Sequence, residues 1–314
     1  MTWGTFAEFT GQPRMVDGKW YLTSRGYCDW KRGKGGWYVD GGRNLAELGK
    51  RLETLVSYGD STLPAPRTYW LAQKIGGRQA EVYKDALEDL MLKIHAATGR
   101  WTRQAVQNAM VSVGLARASL AMSPKAFLKG KMPYGWIDEL GAKQRWFFDE
   151  FWPRIGLQDR VVVFSEWTRA TGEMTARCKA RGISVAHFHG GLSLKRREQV
   201  LENWDHGEYR VMVCSPSGFN SVNLHKPAGV SQKIFSVMLD IPQWYKLVQR
   251  VGRTARHGMQ GTPVVLIPYI PNSIETEWAA FASRRILPDF EAIFGPNTPA
   301  RNLYHDNLDQ VRQL

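Results

Sequence analysis

No stretch of this sequence stays apolar for the ~20 residues that a membrane-spanning helix requires. The opening Met1-Thr2-Trp3-Gly4 is not a basic region followed by an apolar one, so no secretory leader is expected. Cysteine is scarce. Cys28, Cys178 and Cys214 are too few and too scattered for a disulfide framework or a zinc site, which points to a reducing compartment. Acid is in deficit, with 29 Asp and Glu against 42 Lys and Arg, a net charge of +13. That balance favours a polyanionic partner, nucleic acid before a membrane surface. Also missing is a Gly-x-x-x-x-Gly-Lys-Ser/Thr loop, the backbone cradle for nucleotide phosphates. Gly11 to Lys19 and Gly26 to Lys34 come nearest, but each has six intervening residues, and Trp20 or Gly35 stands where a metal-holding hydroxyl belongs. Phe147-Phe148-Asp149-Glu150 has the letters of an acidic nucleotide motif. It falls on an amphipathic pattern, however, and reads as surface acid.

What is present has the pattern of an α/β protein. Arg160 to Ser165, Ile183 to Phe188, Arg210 to Cys214, Lys233 to Leu239 and Thr262 to Ile267 are short apolar runs that read as strands. Trp167 to Arg181 and Leu194 to Asp205 read as helices, the second with Leu194, Arg197, Leu201 and Trp204 on one face. This alternation predicts a parallel sheet with helices on both faces over residues 136–290, and ligands at the carboxyl ends of its strands.

Ahead of that lobe, residues 45–135 read as a mostly helical subdomain. Asn44 caps a helix from Leu45 to Leu55, and Thr68 to Ile75 is a strand. Gly77 to Ala97 is an amphipathic helix with Val82, Leu87, Leu90, Met91 and Ile94 on its apolar side. A second helix, Thr102 to Met122, is stopped by Ser123-Pro124. Residues 125–135 read as an exposed linker, Gly141-Ala142-Lys143 opens a helix to Trp152, and residues 291–314 are a C-terminal tail. Residues 1–44 are rich in Gly and aromatics, Trp20, Trp30 and Trp37 among them, interleaved with Lys19, Arg25, Lys31, Arg32 and Lys34. The pattern suits base stacking along a backbone; it equally suits a small irregular packing layer over a helical unit.

The stretch that organises the chain is Gln249-Arg250-Val251-Gly252-Arg253-Thr254-Ala255-Arg256-His257-Gly258. On a helix, the three-residue spacing of Arg253 and Arg256 puts both guanidinium groups on one face. Planar, permanently charged forks suit a phosphate. A solvated basic helix end is the plain alternative. Other candidate motifs fall at predicted strand ends: Ser165-Glu166-Trp167, His189-Gly190-Gly191 with Lys195 and Arg196 beyond, and Ser215-Pro216-Ser217-Gly218. Backbone N–H groups at a helix start favour an anion. Taken singly, His189 is equally a turn histidine and Ser215 a strand-end cap.

In this order the motifs resemble those of the second lobe of superfamily-two helicases and translocases. Gly36 to Leu48 is similar to a stretch of the Swi/Snf-type, annealing-helicase branch, where it follows the first motor lobe. The resemblance covers Gly36 to Trp278. It implies a RecA-like lobe whose Arg253 and Arg256 are arginine fingers, with Gln249, Gly252 and Gly218 on the nucleotide side. It implies DNA-backbone contacts from Ser165, His189, Gly190, Gly191, Lys195, Arg196, Ser215, Ser217 and Asn223. Two departures stand out: Val56-Ser57-Tyr58-Gly59 replaces a basic segment before Leu63-Pro64, and Phe219 and Ser221 stand where relatives carry glycine.

The first lobe, with its phosphate loop, is not found here. The expectation is therefore one half of a split DNA translocase, with ATP and Mg held mainly by a separate partner chain and no hydrolysis by this chain alone. Splitting of that kind fits a compact genome such as a phage, and the bacterial or phage-infected cytoplasm, with the nucleus also open. The alternative is an ATP-independent nucleic-acid-binding module or a regulatory remnant.

Overall fold

The computed structural model describes residues 14–16, 19–21, 28–33, 36–42, 67–97, 102–131, 133, 138–216, 222, 224, 233–242, 244–254 and 263–278. The chain divides into two compact units, Met1–Ser61 with Phe281–Tyr304, and Thr62–Ala280 with His305–Leu314. In the first unit β1 (Arg14–Val16) pairs antiparallel with β2 (Lys19–Tyr21). Likewise β3 (Cys28–Gly33) pairs with β4 (Gly36–Gly42), the register slipping between Asp29 and Trp30. The Gly- and aromatic-rich segment thus carries two hairpins. The helix expected from Leu45 to Leu55 lies outside the described residues.

The second unit is built on six parallel strands: β5 (Arg67–Ala72), β6 (Arg160–Phe164), β7 (Val185–Phe188), β8 (Val211–Cys214), β9 (Ile234–Met238) and β10 (Val264–Tyr269), in the spatial order β5-β10-β9-β6-β8-β7. The central strands β6 and β8 are buried at every residue, as unbroken apolar runs covered on both faces must be. β5, expected inside the helical subdomain, is instead the edge strand of this sheet, paired along its whole length with β10.

Helices α1 (Gly77–Ala97) and α2 (Arg103–Ala121) follow β5 and pack on each other. α1 buries Val82, Ala86 and Leu90, one residue per turn, while Met91 at its flank is 52% exposed. Its start is fixed from a distance. Gly77 holds φ at +57°, and the Glu139 carboxylate accepts from the N–H groups of Arg78 at 2.6 Å and Gln79 at 3.2 Å. A Cβ on Gly77 would sit 2.9 Å from that carboxylate. Thr102 caps α2 by accepting from the Ala105 N–H at 3.1 Å. After Ser123-Pro124 the chain is not simply a linker: α3 (Pro124–Phe127) is a short capped helix, and Phe127 packs against Ala118, Met122 and Ala170.

Gln79, fully buried, joins these pieces. Its amide donates to the carbonyls of Ser119 and Met122 and accepts from the Ala142 N–H at 2.7 Å. From there α4 (Ala142–Arg145) widens into a π turn over Trp146–Phe151 and tightens to a 3-10 turn over Trp152–Arg154. The wide turn turns three consecutive aromatics, Trp146, Phe147 and Phe148, into the core beside Val161, Val163 and Met174. Asp149 and Glu150 are exposed. Beyond β6 come α5 (Thr168–Ala180) and, after β7, α6 (Leu194–Asp205). Of the face expected on α6, Trp204 is buried but Leu194 is 74% exposed; Val200 is the helix's other buried residue. α7 (Trp244–Thr254) connects β9 to β10.

One buried ion pair ties the start of the lobe to its end. Lys143 and Glu275 are each 1% exposed, and the ammonium donates to Glu275 and, at 2.8 Å, to the Leu239 carbonyl. Burial pushes the Glu275 carboxyl above the usual carboxylate range, with Lys143 opposing the shift. Glu275→Ala, by stranding a buried ammonium, is expected to cost about 3–5 kcal/mol in denaturant unfolding, whereas Lys143→Met with Glu275→Leu recovers most of the loss. A double variant no more stable than the single one would show that the pair does not account for the effect.

Candidate functional site

Because the strands are parallel, their carboxyl ends share one edge of the sheet. Read across β9-β6-β8-β7, that edge presents Asp240, then Ser165 and Glu166, then Ser215, then His189. Neighbouring strands lie about 4.8 Å apart, so the row spans a few nucleotides. The motifs separated in sequence are thereby aligned in space.

The helix carrying Arg253 is set down at one end of this row. Leu247, Arg250, Val251 and Thr254 are all buried, an i, i+3, i+4, i+7 stripe facing the sheet. Arg250 is wholly buried in the midst of that stripe. Its guanidinium pairs with the Glu166 carboxylate and lies 3.7 Å from Asp240 Oδ2. The other Asp240 oxygen accepts from the Glu166 N–H at 2.7 Å, and the second Glu166 oxygen takes the Lys246 ammonium at 2.9 Å. Thr254 completes the seam, its hydroxyl 2.7 Å from that of Ser236. Two strand ends and one helix are thus joined by charge. Glu166 and Arg250 lie inside expected motifs but had no role assigned to them, and Asp240 was not expected at the site. The signal was an arginine in register with Leu247 and Val251 on a core-facing stripe, which demands a buried acid.

Arg253 is half-buried at the last turn of α7, where its Nη1 lies 3.5 Å from the Val222 carbonyl. Its own carbonyl accepts from the Leu224 N–H at 2.8 Å. Val222 and Leu224, the end of the expected coupling motif, are buried. Those two residues are therefore held directly to α7. Gln249 is exposed, and Gly252 has open space where a Cβ would stand. Arg256, Ser217, Gly218 and Asn223 lie outside the described residues.

Along the row, Ser165 and Ser215 are buried. Ser165 Oγ accepts from the Trp167 N–H at 3.1 Å, so the hydroxyl shapes the turn into α5. The His189 turn is more open: His189 is half-buried, while Gly190, Gly191, Lys195 and Arg196 are exposed. His189 Nδ1 accepts from the Gly191 N–H at 3.2 Å, and Ser193 Oγ caps α6 through the Arg196 N–H at 3.3 Å. Arg197 braces the turn from behind, donating to the carbonyls of Leu192 at 3.1 Å and Gly190 at 2.6 Å. Lys195 and Arg196 are thus exposed at the start of α6, Arg196 donating to Gln199 Oε1 at 2.8 Å, while Arg197 holds the loop. Among the described residues no group of three or more His, Cys, Asp or Glu is arranged to hold a metal ion.

The Glu166 pairs differ in burial, and their energies should differ accordingly. Glu166→Gln, which takes from Arg250 the nearer of its two carboxylates and leaves only Asp240 at 3.7 Å, is expected to cost about 3 kcal/mol of unfolding free energy. Lys246→Ala, at the solvent side of the same carboxylate, should cost at most about 1 kcal/mol. Urea unfolding of both variants checks the order, and a reversal would remove Arg250 from its central place.

Residues 143–258 match the family model of the helicase conserved C-terminal domain. Among curated proteins, the chain is 25% identical over 275 residues to eukaryotic initiation factor 4A of Dictyostelium discoideum, covering 81% of this chain and 63% of that protein. It is 28% identical over 108 residues to the ATP-dependent rRNA helicase RRP3 of Encephalitozoon cuniculi, covering 34% and 26%. The chain thus spans less than two thirds of these relatives. Among solved structures, the C-terminal part of the Fun30 ATPase domain superposes with a TM-score of 0.54 at 11% identity, covering 80% of this chain and 99% of that one. The Sulfolobus solfataricus SWI2/SNF2 ATPase C-terminal domain gives 0.52 at 14% identity, covering 76% and 98%. Residues 143–258 are thus matched as a helicase conserved C-terminal domain, and the lobe that holds them has the RecA-like fold of the Swi2/Snf2 ATPase C-terminal domains.

Proposed function

We propose that this chain is the second motor lobe of a split, ATP-dependent DNA translocase, completed by a separate chain that holds most of the nucleotide. The observation that carries this reading is the setting of α7. Arg250 is consumed by Glu166 and Asp240, and Lys246 by Glu166, while half-buried Arg253 stands at the helix's last turn against Val222 and Leu224. The described residues fit the phosphate side of a nucleotide site and not the metal side. Gln249 and Arg253 offer donors, whereas the carboxylates of Glu166 and Asp240 face Arg250.

Bound ATP would supply the phosphoryl group whose transfer drives movement. Arg253 would stabilise negative charge on its outer phosphate, and Gln249 would help to orient it. The segment at Val222 and Leu224 would pass any displacement of the nucleic-acid strand to Arg253. His189, Lys195 and Arg196 would hold the strand through its phosphates, a contact indifferent to sequence. One of the structural neighbours is a Sulfolobus solfataricus SWI2/SNF2 ATPase core in complex with dsDNA, while the curated relatives include RNA helicases. The fold likeness favours duplex DNA as the substrate here. A binding module that never meets ATP is the competing reading, supported by the net charge of +13.

The two readings part at Arg253. In a complex of this chain with its first-lobe partner, Arg253→Ala is expected to lower ATP turnover about 10³-fold while DNA affinity stays level. Lysine should not rescue it, because a point charge does not reproduce the planar fork. Lost DNA affinity with unchanged turnover per bound complex would instead favour the binding module.

The grip at the start of α6 has its own signature. Changing Lys195 and Arg196 together to Ala should weaken DNA binding for all sequences alike and flatten the slope of log affinity against log salt by about 2, one counterion per lost phosphate contact. Fluorescence anisotropy across a salt series measures both, and an unchanged slope would move the strand elsewhere.

A further inference from the structure

The far edge of the sheet holds a cleft that reaches beyond the strand grip and shares only His189 and Arg196 with it. It wraps the open side of β7 between α5 and α6 and encloses about 490 Å³. That volume is within the ~300–1,000 Å³ of small-molecule sites. Among the described residues β7 pairs only with β8, and Phe188 already gives its carbonyl to the Ser215 N–H on that side. Backbone groups alternate along a strand, so the N–H and C=O of Val185 and His187 face outward, toward the cleft. None of the described residues lining it is acidic.

Its chemistry is two-sided. Lys179 from α5 and Arg196 from α6 bring exposed positive charge to the rim, while Leu192, Val200 and Tyr209 supply apolar and aromatic wall. The two histidines offer complementary ring edges. Thr171 donates its hydroxyl proton to the Thr168 carbonyl at 2.9 Å, so at 3.0 Å from that hydroxyl oxygen His187 Nε2 must be the donor. This leaves His187 Nδ1 as an acceptor. His189 is the reverse, for its Nδ1 accepts from Gly191 and its proton therefore sits on Nε2. Burial, with His189 and Lys179 adding to it, lowers the His187 pKa to about 4, so the ring is neutral at pH 7. A donor and an acceptor on rings 4.5 Å apart, beside apolar wall and a cationic rim, suit a flat heterocycle that carries a phosphate.

We propose that this cleft binds one nucleotide unit, its phosphate against Lys179 and Arg196 and its base among Leu192, Val200, Tyr209 and the two histidines. The proposal rests in part on the nucleic-acid reading of the neighbouring turn, with which it shares His189 and Arg196, and adds Lys179, His187, Leu192, Val200 and Tyr209. The unit is either a free mononucleotide or one residue of the bound strand.

The test follows the histidine ring resonances of the full chain during separate titrations with AMP, adenosine and a short oligodeoxyadenylate. AMP or the oligomer is expected to shift the His187 and His189 signals, with adenosine weaker by about tenfold for want of the charged contact. Lys179→Glu, an exposed change, should remove the shifts. Ala176→Trp, which fills the cleft from the exposed face of α5 without touching a charge, should do the same. Shifts with AMP identify a free nucleotide as ligand, and shifts with the oligomer alone identify the strand. Unmoved resonances in all three titrations, or shifts that survive both substitutions, overturn the proposal. Loss of DNA binding on changing Lys195 while His187 stays silent would retain the motor reading and reject the cleft. AMP binding by a chain with no affinity for DNA would do the opposite.

Discussion

A guanidinium taken wholly out of water must be met by opposite charge, and in this lobe the requirement falls on Arg250. Two carboxylates from two different strand ends answer it, Glu166 after β6 and Asp240 after β9. Isolated buried charge is costly enough that no rearrangement separating these partners is tolerated. The rotation of α7 about its own axis is consequently fixed relative to the sheet. The direction in which Arg253 leaves the helix, three residues on, inherits that constraint.

The same edge shows why strand order matters more than sequence order. Asp240 comes last along the chain yet stands next to Glu166, because β9 is inserted between β10 and β6. His189 comes before Ser215 in sequence and lies beyond it in space. The proposed polyanion grip and the proposed phosphate contact therefore stand at opposite ends of the row. Between them lie fully buried strands, whose close packing makes them poor at absorbing displacement. In the proposed motor, force applied at the His189 turn would reach α7 through these close-packed strands.

Much of this was legible in residue pattern. The span of α6 is bracketed by a capping Ser193 and a glycine at 207 in the left-handed region, and both signals are local. Strands β6 and β8 declare themselves because residues buried on both faces leave no polar interruption. The Gln249 to Gly258 stretch stood out by the spacing of its arginines and by its resemblance to a helicase motif. Pairings across space were not legible. β5 looks like a strand from its own residues, but nothing near it names β10 as its neighbour. The acids that meet Arg250 could be required from its helical register and still not be identified. The cleft beside β7 depends on three segments meeting, so no single run of sequence contains it. The π turn was hidden for a different reason: its aromatics fit an ordinary amphipathic helix equally well until their simultaneous burial has to be satisfied.

The pairing of β5 with β10 sets the order in which the lobe can be assembled. β5 leaves the ribosome well before β10, and the whole remainder of the sheet lies between them in the chain. Contacts so distant in sequence repay their loop-closure entropy late in folding. Until synthesis passes Tyr269, one edge strand has no ladder to join, and its backbone donors and acceptors stand open to other chains. Helices α1 and α2 can form by then, being local. The nascent lobe is thus a helical hairpin tethered to an unpaired strand, and its exposure to aggregation ends only with its last strand.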